Sequence, residues 1–186
     1  PFTPADDVHW CELLLLDPGH LIPLRKQRIR LRLSRWFPGL LETYMLENPH
    51  FRHAWHLVQS SNFDVVYCND VDTLLLGIAA RRDNPGTKII LDLHEYPTRE
   101  LESKSGGESN EWLKVRKPLV TGIMKNFSPL ADGTLTVTPT FVPLFTKEFG
   151  MREPVVIHNA PELSPLPPKA RGDDGLVRLI HHGASS

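Results

Sequence analysis

The run KIILDLHEYPTRE, residues 88–100, ends its apolar stretch on an aspartate, a histidine and a glutamate. Asp92, His94 and Glu95 are residue types that accept hydrogen bonds, move protons or brace one another. In a strand, side chains alternate between faces, so Asp92 and His94 share one side while Leu91 and Leu93 share the other. In an open parallel sheet, ligands bind in the crevice beyond the carboxyl ends of the strands. A strand ending in Asp-x-His-Glu is therefore a candidate site. The competing reading is a histidine that merely caps or bridges loops, because structural networks also place ionisable groups at strand ends.

Other runs end in the same way. DVVYC is followed by Asn69, Asp70 and Asp72, TLTV by Thr138, and PVVIH by Asn159. Polar groups from four strands would thus converge on one sheet edge, where rigid strands carry functional ends. Asp70 and Asp72 also fit as helix N-caps. His50, His53 and His56 are spaced i, i+3, i+6. On a helix they fan too widely for a compact metal site and read as a solvated face. His181 and His182 are adjacent and point to opposite faces of a strand.

These ends need elements to hold them. Residues 63–68, 87–93, 134–137 and 154–159 read as strands, and 71–82, 111–127 and 138–150 as helices. The second helix should bend or break near Pro118. The third should have Thr138 as N-cap and stop at Gly150, with Pro143 allowing its first turn to begin later than Pro139. The strands are continuously apolar and alternate with helices, the pattern of a parallel sheet with helices on both faces. The expected fold class is α/β and Rossmann-like. Residues 37–49 and 50–61 look helical, and 11–16 (CELLLL) reads as a strand. The first domain is expected over 1–160. A Pro-rich linker would occupy 161–175, and 176–186 would open a second, truncated domain. Both ends read as cut, as in part of a longer protein.

Composition narrows the classes. Of 186 residues, 40% are hydrophobic and 23% charged, ordinary for a globular domain. The net charge of −1 gives no whole-protein field that favours nucleic acid. Two cysteines, Cys11 and Cys68, are too few for a disulfide framework and fit a reducing compartment. No apolar run approaches the roughly 18–20 residues that span a bilayer. There is no G-x-G-x-x-G, no P-loop and no G-x-S-x-G, so dinucleotide, nucleoside-triphosphate and serine-hydrolase readings lack their motifs. Arg25, Lys26, Arg28, Arg30, Arg32 and Arg35 are interleaved with Ile29, Leu31, Leu33, Trp36 and Phe37. Such a segment either faces solvent or docks on anionic lipid.

The run DVVYCNDVDTLLLGIAARRDNPGTKIILDLHE, together with ADGTLTV and PVVIHNAP, closely resembles the family 4 glycosyltransferases. The resemblance covers about residues 63–183, and its specific parts are D-x-H-E and IHNAP. It implies the GT-B architecture, two Rossmann-like domains facing across a cleft. This chain would be the N-terminal, acceptor-side half and the start of the donor-binding half. It implies sugar transfer from a nucleotide-sugar donor to a glycan or lipid-linked acceptor. Transfer would retain configuration and need no metal and no cofactor. His94 then matches the cleft histidine that contacts the donor sugar, with Asp92 and Glu95 beside it as catalytic candidates. Asn69, Asp70, Thr138 and Asn159 fall on the acceptor and cleft side. Gly183 resembles the glycine that opens the donor-diphosphate loop. The family's first strand and Gly-rich loop are not visible, and the phosphate clamp of the second domain lies outside this sequence, so the chain alone is expected to be inactive. The implied setting is cytoplasmic, peripheral on the inner face of the plasma membrane, in the synthesis of a cell-envelope glycan. Two other classes fit the residues: a metal-dependent Rossmann-like hydrolase using Asp70, Asp92 and His94, and a binding module without turnover.

Overall fold

The structure is a computed structural model that describes residues 24–99 and 112–160, with side chains from Arg28 onward. The elements run α1 (Leu24–Leu33), α2 (Gly39–Met45), α3 (Pro49–Gln59), β1 (Val65–Asn69), α4 (Val71–Asp83), β2 (Lys88–Leu93), a π-helical turn (Trp112–Arg116), α5 (Lys117–Phe127), a 3-10 turn (Ser128–Leu130), β3 (Gly133–Thr136), α6 (Val142–Phe149) and β4 (Val155–Val156). The strand expected at 11–16, the linker at 161–175, the opening of the second domain at 176–186 and Gly183 lie outside the described residues.

The four strands form one parallel sheet in the order β1-β2-β3-β4. The fold is α/β, as expected. Each strand-to-strand step moves the same way across the sheet, and right-handed crossovers then place α4, α5 and α6 on one face. Burial agrees. Cys68, Ile89, Leu91, Leu93, Thr134 and Thr136 are buried on that face. On the other face Val65, Tyr67, Val155 and Ile157 are more than half exposed, and Ile90 and Leu135 are partly so. The expectation of helices on both faces is therefore corrected: among the described residues the helical cover is one-sided. Continuous apolar strands suggested two buried faces, but an apolar side chain in a sequence does not say whether anything covers it.

The covered face is packed closely. A Cβ on Gly77 of α4 would stand 2.7 Å from the Cys68 Sγ and 3.2 Å from Ile89 Cγ2. The missing side chain lets the helix backbone sit directly on β1 and β2. Leu74, Leu75, Ile123, Met124 and Phe145 complete the same buried cluster. Full burial of such side chains contributes roughly 1.5–3 kcal/mol each. α2 and α3 lie outside the main helical layer, against α5 and α4 respectively. Asn48 caps α3, its side chain accepting from the His50 and Phe51 amides at 2.9 and 3.4 Å, and Pro49 occupies the first turn. Pro118 sits in the first turn of α5, where the π-helical turn gives way to α-helix, so the expected break is present. Gly150 ends α6 in the left-handed region (φ 67°), as expected. Thr138 does not cap that helix. α6 begins four residues later, after Phe141, and the Thr138 hydroxyl pairs with Thr140. Pro143 falls in the first turn of α6, where its missing amide costs nothing; in a helix begun at Thr138 it would lie past that turn and break the bonding.

The amino-terminal end of the sheet is tied by Asp132. Its carboxylate accepts from the Ile89 amide at 2.9 Å, from Lys88 Nζ at 3.4 Å and from the Arg81 guanidinium. The same guanidinium donates to the Thr87 and Leu130 carbonyls. The Ile89 amide first, and then Arg81 and Lys88 against the opposing effect of burial, hold the Asp132 carboxyl below its usual range. Asp132→Ala should destabilise by about 1–3 kcal/mol, because it strands the Ile89 amide. A carboxyl lowered on folding contributes stability above its unfolded value, about 3.9, and that contribution fades as pH falls through the lower folded value. Urea denaturation of both proteins should therefore show a gap that is full at neutral pH and narrows below about pH 4.

Candidate functional site at the carboxyl edge of the sheet

β2 lies between β1 and β3, so its carboxyl end is flanked on both sides. The register pairs Asn69 with Asp92 and Asp92 with Leu135. Alternation puts Tyr67, Asn69, Asp92 and Leu135 on the open face. Asp92 is the hub. Its Oδ2 accepts from the Tyr67 hydroxyl and lies 3.1 Å from His94 Nε2. The Asp92 side chain is 13% exposed and that of His94 is 44% exposed, so the carboxylate is sheltered and the ring is presented to solvent. With Nε2–H donated to Asp92, Nδ1 keeps the lone pair and is the atom available to a ligand.

The turn after the strand is fixed from both sides. The Asp70 amide donates to the Asp92 carbonyl at 2.8 Å, and the His94 amide donates to Asp70 Oδ1 at 3.4 Å. Asp70 occupies the N-cap position of α4, yet its side chain makes no bond to the helix amides. It serves the β2 turn instead. Its backbone is unusual, with φ 62° and ψ 169°, a region that is nearly glycine-only. It is the one non-glycine residue with positive φ among the described residues. Two residues beyond His94, Tyr96 is buried and stacks on Phe145, with ring centroids 5.1 Å apart and planes 4° apart. Phe141 and Phe149 flank it, and its hydroxyl reaches Glu148. Burial and then Glu148 push the Tyr96 phenol well above its ordinary value. This anchor pins the loop that carries His94 and Glu95.

Of the expected residues, Asn69, Asp70, Asp92 and His94 come together. Glu95 is exposed beside them. Thr138 follows β3 on the same edge. Asn159 is exposed three residues beyond β4, after His158, whose Nδ1 lies 3.1 Å from the Val137 carbonyl. Tyr67 is the site residue that the sequence reading missed. Its signal was available: it is two residues before Asn69, hence on the same face. Arg28, Arg32 and Arg35 are exposed, whereas Arg30 turns to pair with Glu47. The side chains of Arg25 and Lys26 lie outside the described residues. Among the described residues, no three His, Cys, Asp or Glu side chains are grouped to hold one metal ion. No described helix is long and apolar enough to cross a membrane.

No family model, no curated protein and no solved structure matches this chain.

The hub makes two checkable statements. Asp92, through its hydrogen bond first and then burial and its charge, raises the Tyr67 phenol from 10.0 to about 12. A spectrophotometric titration compared with Tyr67→Phe should isolate a phenol that ionises near pH 12. Asp92→Asn should bring it back toward 10, the ordinary value. Because the folded value is the higher one, the Tyr67–Asp92 contact supports the fold at neutral pH and is lost only as pH climbs through that range. The strained turn makes the second statement. Asp70→Gly relieves the backbone and Asp70→Ala does not, while both lose the carboxylate. Urea denaturation should place the glycine variant about 1–3 kcal/mol above the alanine variant.

Proposed function

We propose that this domain is the acceptor-side half of a GT-B-type glycosyltransferase, with a Rossmann-like sheet, acting on a nucleotide-sugar donor and a glycan or lipid-linked acceptor. The observation that carries the reading is His94. It is braced by Asp92, exposed, and held at the carboxyl end of the central strand of a parallel sheet. Asp70 accepts from its amide, Tyr67 shares its Asp92 partner, and Asn69 lies opposite Asp92 on β1. A sugar is a crowded set of hydroxyl groups on a small ring, and its recognition needs several hydrogen-bond partners converging from rigid elements. This edge supplies carboxylate, amide, imidazole and phenol groups within two neighbouring strands. The resemblance of D-x-H-E and IHNAP to the family 4 enzymes supports the same reading.

The chemistry follows from charge. Breaking a sugar–phosphate bond builds positive charge on the sugar and negative charge on the departing diphosphate. Acceptors fixed near the sugar favour that transition state, and they need no rearrangement when they are already braced. Asp92 fixes the ring plane and tautomer of His94, and the Asp70 carboxylate fixes its amide. Nδ1 of His94 can then accept from one sugar hydroxyl in a set direction. The groups that neutralise the diphosphate belong to the donor-binding half. No observation favours the metal-dependent hydrolase or a binding module over transfer.

The test pairs this domain with the donor-binding half and follows sugar transfer from a panel of nucleotide sugars. His94→Ala should lower turnover about 10²-fold or more, since a positioned group acting in the transition state typically contributes 10²–10⁴. Its melting temperature should hardly move, because substitutions at exposed positions stay within about 0.5 kcal/mol. Full activity with a lowered melting temperature would make His94 a structural residue and sink the reading.

A further inference from the structure

The basic run at residues 24–37 gains a shape in the structure. α1 buries Leu31 and Ser34, with the Ser34 hydroxyl donating to the Leu31 carbonyl at 2.8 Å. The helical bonding continues past Leu33: the Ser34 amide donates to Arg30 and the Phe37 amide to Leu33, at 2.8 and 3.0 Å. On the outward side Ile29, Leu33, Trp36 and Phe37 are 59%, 47%, 81% and 65% exposed. Their spacing of i, i+4, i+7, i+8 is one helical stripe. Arg28, Arg32 and Arg35, at i, i+4, i+7, are exposed along its flank. Arg32, Arg35 and Trp36 together line an open depression. No acidic residue occurs between 21 and 41, although the whole chain carries a net charge of −1.

Four large exposed apolar side chains in a single stripe are not the scatter of an ordinary surface. The flanking arginines name the partner. A protein groove would bury them and require matched carboxylates, whereas a bilayer surface offers hydrocarbon for the stripe and anionic headgroups beside it. An indole at the boundary fits the same setting, since tryptophan favours the depth where hydrocarbon meets headgroups. We propose that α1 and the turn after it dock in the plane of an anionic membrane. Ile29, Leu33, Trp36 and Phe37 enter the headgroup–acyl boundary, and Arg28, Arg32 and Arg35 hold lipid phosphates.

The placement has a consequence for the site. α1 packs against the π-helical turn 112–116. Arg116 of that turn pairs at 3.3 Å with Asp72 in the first turn of α4, two residues after Asp70. The docking surface is thus joined through one turn to the carboxyl edge of the sheet. The inference itself stands on α1 alone and does not depend on sugar transfer.

Co-sedimentation of the 186-residue chain with phosphatidylcholine vesicles, with and without phosphatidylglycerol, tests it. Binding should require the anionic lipid. It should weaken as salt rises and the Debye length falls from about 30 Å at 0.01 M to about 8 Å at 0.15 M. Each Arg→Gln change at 28, 32 or 35 should weaken binding about fivefold. Leu33→Ser with Trp36→Ser should abolish it at unchanged thermal stability, these positions being exposed. Binding should shift the tryptophan emission to the blue, and Trp36→Phe should remove that shift. Inorganic phosphate at matched ionic strength should not compete, which separates a lipid surface from a free-phosphate site. Equal binding to neutral and anionic vesicles, no binding to either, or variants that sediment like the parent chain would each overturn the proposal. So would competition by free phosphate, or preference for a soluble acidic polypeptide over vesicles.

Discussion

The arrangement of this domain depends on β2 being paired on both sides. A strand whose backbone is bonded left and right has no freedom of register. Its position relative to β1 and β3 is fixed residue by residue, from Val65 opposite Lys88 to Leu93 opposite Thr136. One side of it is sealed by α4 and α5, where a polar group would lose its hydration without a partner. Polar chemistry can therefore appear only at the strand's ends or on its open face. The amino-terminal end is spent on stability, through Asp132 and Arg81. The carboxyl end is left for Asp92 and His94. The separation is sensible: the network at one end makes the register rigid, and a rigid register holds the groups at the other end in place.

The open face changes what the carboxyl edge can be. Were both faces covered, Asp92 would point into a helical layer and need an internal partner. Here it points to the side that no described helix covers, where Tyr67 leans over from β1. A phenol and an imidazole then share one carboxylate oxygen, the phenol over the sheet and the imidazole beyond its end. The phenol is the less acidic for it. Such a shared acceptor couples the two side chains: a ligand that draws the ring away from Asp92 strengthens the hold on Tyr67, and the reverse. Asp70 adds a second constraint. Its backbone strain, of the order of 1–3 kcal/mol, is tolerated because its amide and its carboxylate both bind the turn that follows β2.

Much of this was legible in the sequence, for identifiable reasons. Short, mostly apolar runs followed by polar residues located all four described strands, because strands packed under a helical layer are largely apolar. Gly150 was legible because left-handed backbone selects glycine, and Pro118 because it cannot donate inside a helix. Other features were not local. Thr138 has the right chemistry for an N-cap, but α6 begins at Val142 with Pro143 in its first turn, and the contacts of Phe141 and Phe145 with Tyr96 span more than forty residues of chain. The one-sided cover was hidden because apolar residues look alike whether covered or bare. Tyr67 was overlooked as a strand-former, since its role appears only once β1 and β2 are in register. The membership of Asp92 and His94 in one cluster could be read from period two alone, and the structure adds which oxygen they share.

The same logic separates the two surfaces of interest. The carboxyl edge is polar because rigid strands stop there. The outward side of α1 is apolar despite nothing described packing on it. Leu31 and Ser34 are buried against the domain, whereas Ile29, Leu33, Trp36 and Phe37 face outward. Hydrophobic residues on an exposed side of a helix, beside a row of arginines, suit the anionic surface proposed for them. The turn 112–116 touches α1 and, through Arg116, the first turn of α4. A surface held by α1 would therefore set the direction in which the carboxyl edge opens. An acceptor embedded in that surface would meet His94 with its orientation already restricted, and the rotational freedom lost on binding would have been removed beforehand by docking.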